Sequence, residues 1–243
     1  MKQEKLSEKE NKNETFMGIK HGFFFILGMF FIGSASGQSS KWDSTYRPST
    51  YEYRVSQFES YPKNPGEIIF LGNSLTARAD WNELLQLPLA RNRGISGDIT
   101  FGVLDRLQEV TGRKPAKLFI LIGINDISRN ISDSLIVRNY ERIIFKVQNE
   151  SPGTKIYFQT LLPVNNDFTQ FKNHYNKDGH ILNVNNHIKK LGEKYGIEII
   201  DLFPHFLNEQ NKLDKKYTED GLHLNAAGYI VWAKILKKYI INE

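Results

Sequence analysis

The sequence predicts an α/β protein with one parallel sheet, doubly wound by helices on both faces, and three observations point there. The runs Ile68–Leu71, Leu118–Ile122, Ile156–Phe158 and Ile197–Ile200 have strand length and are dominated by β-branched and aromatic residues. They are continuously apolar rather than alternating, as strands buried on both faces must be. Between them apolar residues recur at helical spacing, so strand and helix alternate over about 180 residues.

The elements follow in chain order. Met1 to Asn13 are polar and charged, whereas Phe23 to Ile32 are almost purely apolar, with Lys20 before them and the small residues Gly33 to Gly37 after. A basic flank, a short apolar run and a small-residue site make a secretory signal over residues 1–37. The run is about half of the ~20 residues a membrane span needs. Cleavage near Ala35 or Gly37, export to the periplasm or beyond, and no lasting membrane insertion are therefore expected, with a buried N-terminal helix as the alternative. Met17, followed by Gly18, Ile19 and Lys20, would begin a signal of ordinary length and is a second candidate start. Losing residues 1–37 removes five Lys and four Glu, so the net charge of +5 becomes +4.

Residues 38–65 show no sustained period and read as a leader that wraps the domain, with a short helix near Tyr53 to Ser60. Residues 66–243 then form a single domain without internal repeats. The first strand runs into Gly72-Asn73-Ser74-Leu75-Thr76, where Leu75, Trp81, Leu84 and Leu85 suggest a helix. A short second strand covers Arg91 to Gly94. Helical spacing links Leu104, Leu107 and Val110; Leu135, Tyr140, Ile143, Ile144 and Val147; Ile181, Val184, Ile188 and Leu191; and Ile230, Ala233, Ile235, Leu236 and Ile240. Trp81 and Trp232 fall in these patterns and read as core. The long irregular segment Leu161 to Lys177, rich in Asn and aromatics, has the length at which loops tend to be functional.

Composition narrows the chemistry. With 40% hydrophobic and 24% charged residues the chain is globular rather than disordered, and its charges are interleaved, which argues against nucleic-acid binding. Having no cysteine, it cannot use disulfides, Cys-ligated zinc or iron–sulfur centres, a thiol nucleophile or a lipid-modified N-terminal Cys. His174, His180 and His187 match no zinc spacing and read as surface or loop residues, with Asp178 capping the helix that follows. No metal or cofactor is expected.

Four turns carry the reactive residue types. Ser74 stands where a strand hands over to a helix N-terminus, at the sheet edge where doubly wound proteins bind ligands; taken alone it is a helix-capping candidate. Gly94-Ile95-Ser96-Gly97-Asp98 and Gly123-Ile124-Asn125-Asp126 follow the next two strands and offer a glycine N–H and an asparagine amide at the same edge. Asp220-Gly221-Leu222-His223-Leu224-Asn225 precedes the last helix. An acid three residues before a histidine can orient one ring nitrogen while the other faces a serine; a turn with a capping Asn225 is the plainer alternative.

Together the four blocks resemble the SGNH (GDSL-type) hydrolase family, from about Ile68 to the end of the chain. Gly72-Asn73-Ser74-Leu75 looks like its nucleophile block, Gly97 like its second-block glycine, Gly123-Ile124-Asn125-Asp126 like its third block, and Asp220 to His223 like its Asp-x-x-His. The stretches around Gly97 and Asn125 are most similar to the platelet-activating-factor acetylhydrolase-like branch. Asn73 departs from the Asp of the family name, an exchange expected to leave catalysis intact because that position is outside the triad. The resemblance implies a three-layer flavodoxin-like fold, Ser74, His223 and Asp220 as the catalytic triad, and an oxyanion hole from the Ser74 and Gly97 N–H groups and the Asn125 amide.

The expected function is a secreted esterase for short-chain, chiefly acetyl, O-esters on carbohydrates, so its partners would be small acyl esters or acetylated glycans. Asn165, Asn166 and Tyr175 in the long loop are the expected substrate contacts. A lipase or lysophospholipase-type acylhydrolase, an O-acyltransferase and an inactive carbohydrate-binding module are the alternatives.

Overall fold

A computed structural model describes residues 42–241; the expected signal at residues 1–37 lies outside them. Helix α1 (Tyr51–Ser60) precedes β1 (Ile68–Gly72), followed by α2 (Ser74–Ala77), α3 (Trp81–Leu85), β2 (Ala90–Gly94), α4 (Thr100–Asp105), α5 (Leu107–Thr111), β3 (Lys117–Leu121), α6 (Ile124–Ser128), α7 (Asp133–Glu150), β4 (Lys155–Gln159), α8 (Asp178–Tyr195), β5 (Glu198–Ile200) and α9 (Ala226–Ile241). All strand pairs are parallel, in the order β2-β1-β3-β4-β5. This is the flavodoxin-like order. Gly72 lies level with Gly94 on one side and Leu121 on the other, so the turns after β1, β2 and β3 leave the sheet at one height.

Strand alternation divides the core. Ile69, Leu71, Leu118, Ile120, Ile156 and Phe158 face one cluster, which α7 closes with Ile136, Tyr140, Ile143, Ile144 and Val147 and α8 with Ile181, Val184 and Ile188. Phe70, Phe119, Leu121 and Tyr157 face the other, beneath Trp81 and Trp232. There Trp81, Phe70, Phe119 and Tyr157 stack in sequence at centroid spacings of 4.3, 5.0 and 4.5 Å. Such offset aromatic pairs add to what area burial supplies.

Two helices that periodicity joins are broken. The helix after β1 stops at Ala77 because Asp80 caps a new one, its carboxylate accepting from the N–H groups of Asn82 and Glu83. The Leu104–Val110 stretch breaks at Arg106, whose buried guanidinium donates to Asp98 Oδ2, Arg93 O and Gly72 O at 2.9, 2.9 and 3.1 Å. Asp178 is the first helical residue of α8 and makes no capping bond, so its expected role as a cap is corrected.

The leader's helix α1 is tied down by charge. Arg113 donates to Phe58 O, Tyr61 O and Pro62 O and pairs with Glu67 at 3.2 Å, both side chains being fully buried. Glu67 also takes Arg91, and Glu109 takes Arg93 and Arg113. Among the described residues no helix is long and apolar enough to cross a membrane.

Candidate active site

Ser74 is the first residue of α2, one position beyond the N-cap, which is Asn73. Asn73 Oδ1 accepts from Leu75 N at 3.0 Å and its carbonyl from Ala77 N at 2.8 Å. The capping that Ser74 could have performed is therefore done by its neighbour, as an Asp there would do it, though the Asn73 Nδ2 is left buried without a partner. The Ser74 hydroxyl is free to meet His223, with Oγ 2.9 Å from Nε2. Gly94 lets β2 lie against α2: a Cβ there would sit 2.3 Å from Ala77 N.

His223 Nδ1 is 2.7 Å from Asp220 Oδ2, while Asp220 Oδ1 accepts the backbone N–H groups of Leu222 and His223 at 2.9 and 2.7 Å. Burial pushes the Asp220 carboxyl up, but these hydrogen bonds outweigh it and hold the group below its usual range. Burial, aided by the Arg78 charge, overrides the pull of Asp220 and keeps His223 below the usual histidine value. A neutral ring whose Nδ1–H rests on Asp220 presents its Nε2 lone pair to the serine, and so can accept a proton from it.

The other two turns meet the first at a cavity of about 260 Å³, lined among others by Ser74, Gly97, Asn125, Phe171, His174 and His223. Gly97 has φ of +82°, in the region that favours glycine. Asp98 and Asp126, whose roles the sequence leaves open, bind the two turns together. Asp98 O accepts from Asn125 Nδ2 at 2.9 Å, and the Asp126 carboxyl, wholly buried, accepts from Thr100 N and Oγ1. Burial, against those hydrogen bonds, pushes Asp126 up to about 7.

His174 is the residue that sequence reasoning missed. Its Nε2 lies 3.0 Å from Asn125 Oδ1, and its ring lines the cavity rather than facing solvent as a surface histidine. The segment length flags Leu161–Lys177, but nothing in its composition says which side chain turns inward. Phe171, from the same segment, meets the His223 ring edge-on at 4.9 Å. His180 turns to Asp133, and His187 to the Asn183 carbonyl of its own helix.

The expected substrate contacts are corrected. Asn165 is fully buried, donating to Leu213 O at 2.8 Å and accepting from Asp167 N at 2.9 Å. Tyr175 is buried and gives its hydroxyl to the Asp220 carbonyl. Asn166 is exposed and bonds Asn176. None of the three lines the cavity at Ser74. Asn165 and Tyr175 spend their hydrogen bonds on backbone, and Tyr175 thereby braces the loop that carries Asp220 and His223.

A parallel α/β sheet with a serine and a histidine in contact at its carboxyl edge is the frame of an ester hydrolase. The chain belongs to the GDSL-like lipase/acylhydrolase family, whose sequence profile matches residues 70–231. Platelet-activating factor acetylhydrolase IB subunit alpha2 of Rattus norvegicus and of Homo sapiens are each 25% identical over 182 residues, 72% of this chain and 76% of theirs. A solved structure of a platelet activating factor protein from Streptococcus pneumonia superposes with a TM-score of 0.72 at 31% identity, over 78% of this chain and 92% of that one. An acetyl xylan esterase shares the fold, with a TM-score of 0.62 at 23% identity over 72% of this chain and all of its own.

Proposed function

We propose that this chain is an exported serine esterase that removes short acyl groups, acetyl above all, from O-esters on carbohydrates. The observation that carries the reading is the continuous line from Ser74 Oγ through His223 to Asp220, opening on a cavity that also holds Gly97 and the Asn125 amide. Ser74 attacks the ester carbonyl as its proton passes to His223 Nε2, and Asp220 stabilises the imidazolium. The oxyanion meets the Asn125 N–H and the backbone N–H groups of Ser74 and Gly97. His223 then protonates the leaving alkoxide; water, deprotonated by the same ring, attacks the acyl-enzyme carbonyl, and the His223 imidazolium passes that proton to the departing Ser74 oxygen.

The size of the cavity suits a small ester. About 260 Å³ is less than the ~300–1,000 Å³ of pockets that enclose drug-sized ligands. The names of the relatives, acetylhydrolase in two species, point the same way, and the fold neighbour is named for an acetylated polysaccharide. Export rests on the apolar run and small residues before Gly37, with residues 38–65 as leader and 66–243 as the hydrolase domain.

The test is acetate release from aryl acetates and acetylated xylan, beside a chain-length series to octanoate. Acetyl esters lead the series, and Ser74→Ala and His223→Ala each lose about 10⁴-fold or more in kcat while keeping the fold. A rate that climbs from acetate to octanoate makes the protein a lipase, and an active Ser74→Ala removes the mechanism.

A further inference from the structure

The same cavity carries charge that a neutral acetyl ester does not need. Arg78 and Arg129 both line it, and among the described residues no Asp or Glu does. Each arginine stands four residues after a residue of the proposed machinery, Arg78 after Ser74 and Arg129 after Asn125. Each is also the C-cap of the short helix concerned, α2 or α6. Residues four apart share a helix face, so each guanidinium rises on the side that faces the reacting groups. Their fields reach the site: Arg78 acts on His223 and Arg129 on His174.

Neither arginine is consumed by a close partner. Arg78 is 3.9 Å from Asp220, a carboxylate already occupied by His223 and two backbone N–H groups. Arg129 lies over the Tyr46 ring, with its Cζ 3.1 Å from the centroid, and its guanidinium makes no hydrogen bond among the described residues. Asp43 feels its charge but is not among its ion pairs within 4 Å in the described residues. Arginine at a helix C-terminus also complements the helix dipole, but that does not account for the cavity the two arginines share or for the lack of a close acidic partner for Arg129 among the described residues.

We propose that the ester substrate is anionic: its alcohol portion carries a carboxylate or phosphate close to the acetylated oxygen, bound between Arg78 and Arg129. Guanidinium pairs with either group through two parallel N–H···O bonds. The proposal rests on the esterase reading above and narrows it from acetylated carbohydrates to acidic ones, such as acetylated uronic acids, with an acetylated phosphodiester as the other source of the same chemistry.

The experiment measures kcat/KM for acetate release from a 4-O-acetyl uronic acid glycoside, whose ester is vicinal to the carbon that bears the carboxylate, and from its uronamide, which has the same shape without the charge. An acetylated glycerophosphodiester forms a third arm, all at low and high salt. Half-exposed ion pairs are worth little each, so the acid is expected to exceed the amide by about three- to twentyfold at low ionic strength, with the ratio falling towards one near 1 M salt. Arg78→Gln and Arg129→Gln each lower that ratio. A phosphodiester that outruns the uronate and responds to the same substitutions assigns the anion to phosphate. An acid-to-amide ratio of one or less in the unsubstituted protein overturns the proposal, as does a ratio that survives both substitutions. If aryl acetates are hydrolysed while all three substrates are inert, the anionic class is wrong and the esterase reading stands; if aryl acetates are inert too, both fall.

Discussion

Replacing His174 with phenylalanine asks whether the Asn125 amide has to be held. An asparagine side chain offers two N–H donors and one carbonyl oxygen. One N–H goes to Asp98 O, which can only accept, so Nδ2 must face it and Oδ1 must face His174. The ring must then carry its proton on Nε2. Its Nδ1 is buried without a partner, so the opposite tautomer would bury an N–H with no acceptor. Burial first, and then the charges of His223 and Arg129, take the ring's pKa down to about 4, which keeps it neutral at working pH. Ring and amide thus lock each other, and one amide N–H is left for an oxyanion. Deleting such a donor outright costs about 10²–10³-fold in kcat. Phenylalanine keeps the ring volume and leaves the amide in place, held by Asp98 O alone. The loss is one hydrogen bond's worth of orientation, about 1–2 kcal/mol, or roughly five- to thirtyfold in kcat. The assay is steady-state hydrolysis of an aryl acetate, with KM expected to change little. His174→Gln, which can donate from a similar position, should recover most of the rate. In an Asn125→Ala background His174→Phe should cost less than about twofold, since the two act as a unit. A full-sized loss in that background, or a wild-type kcat in His174→Phe, refutes the reasoning.

Other outcomes follow from the same geometry. The acid limb of kcat/KM lies below the ordinary histidine value of ~6.5: His223 must be neutral to act as base, and burial with Arg78 holds its pKa down, so activity persists to lower pH than for a free imidazole. Arg78→Gln, which removes one of those causes, moves the limb upward, and a limb that stays put separates Arg78 from His223. Glu67→Ala leaves Arg113 buried with half its counter-charge, and denaturant unfolding should register a loss of about 3–5 kcal/mol. Asn165→Ala lowers the melting temperature while leaving KM for aryl acetates close to wild type, because its amide serves Leu213 O and not the cavity; a raised KM with unchanged stability would return it to the substrate side.

By itself the sequence determined the architecture and the residues of the candidate site, because both are written locally. Continuous apolarity in the runs through Phe70, Phe119 and Tyr157 specifies strands covered on both faces, and parallel strands bring their carboxyl ends, with Ser74, Gly97 and Asn125, to one edge. Asp220 and His223 lie three residues apart, so a single turn suffices to join them. Tertiary structure decided what depends on contacts between distant segments. Whether Ser74 caps its helix was settled by Asn73 taking the bond and by His223, 149 positions away, standing 2.9 Å from the hydroxyl. In the long loop, Asn165, Tyr175 and His174 are all polar residues among aromatics, and composition treats them alike. Their fates differ because a buried polar group must find a partner wherever the packing leaves one: for Asn165 that is the Leu213 carbonyl, for Tyr175 the Asp220 carbonyl, and for His174 the amide oxygen of Asn125, 49 residues earlier in the chain.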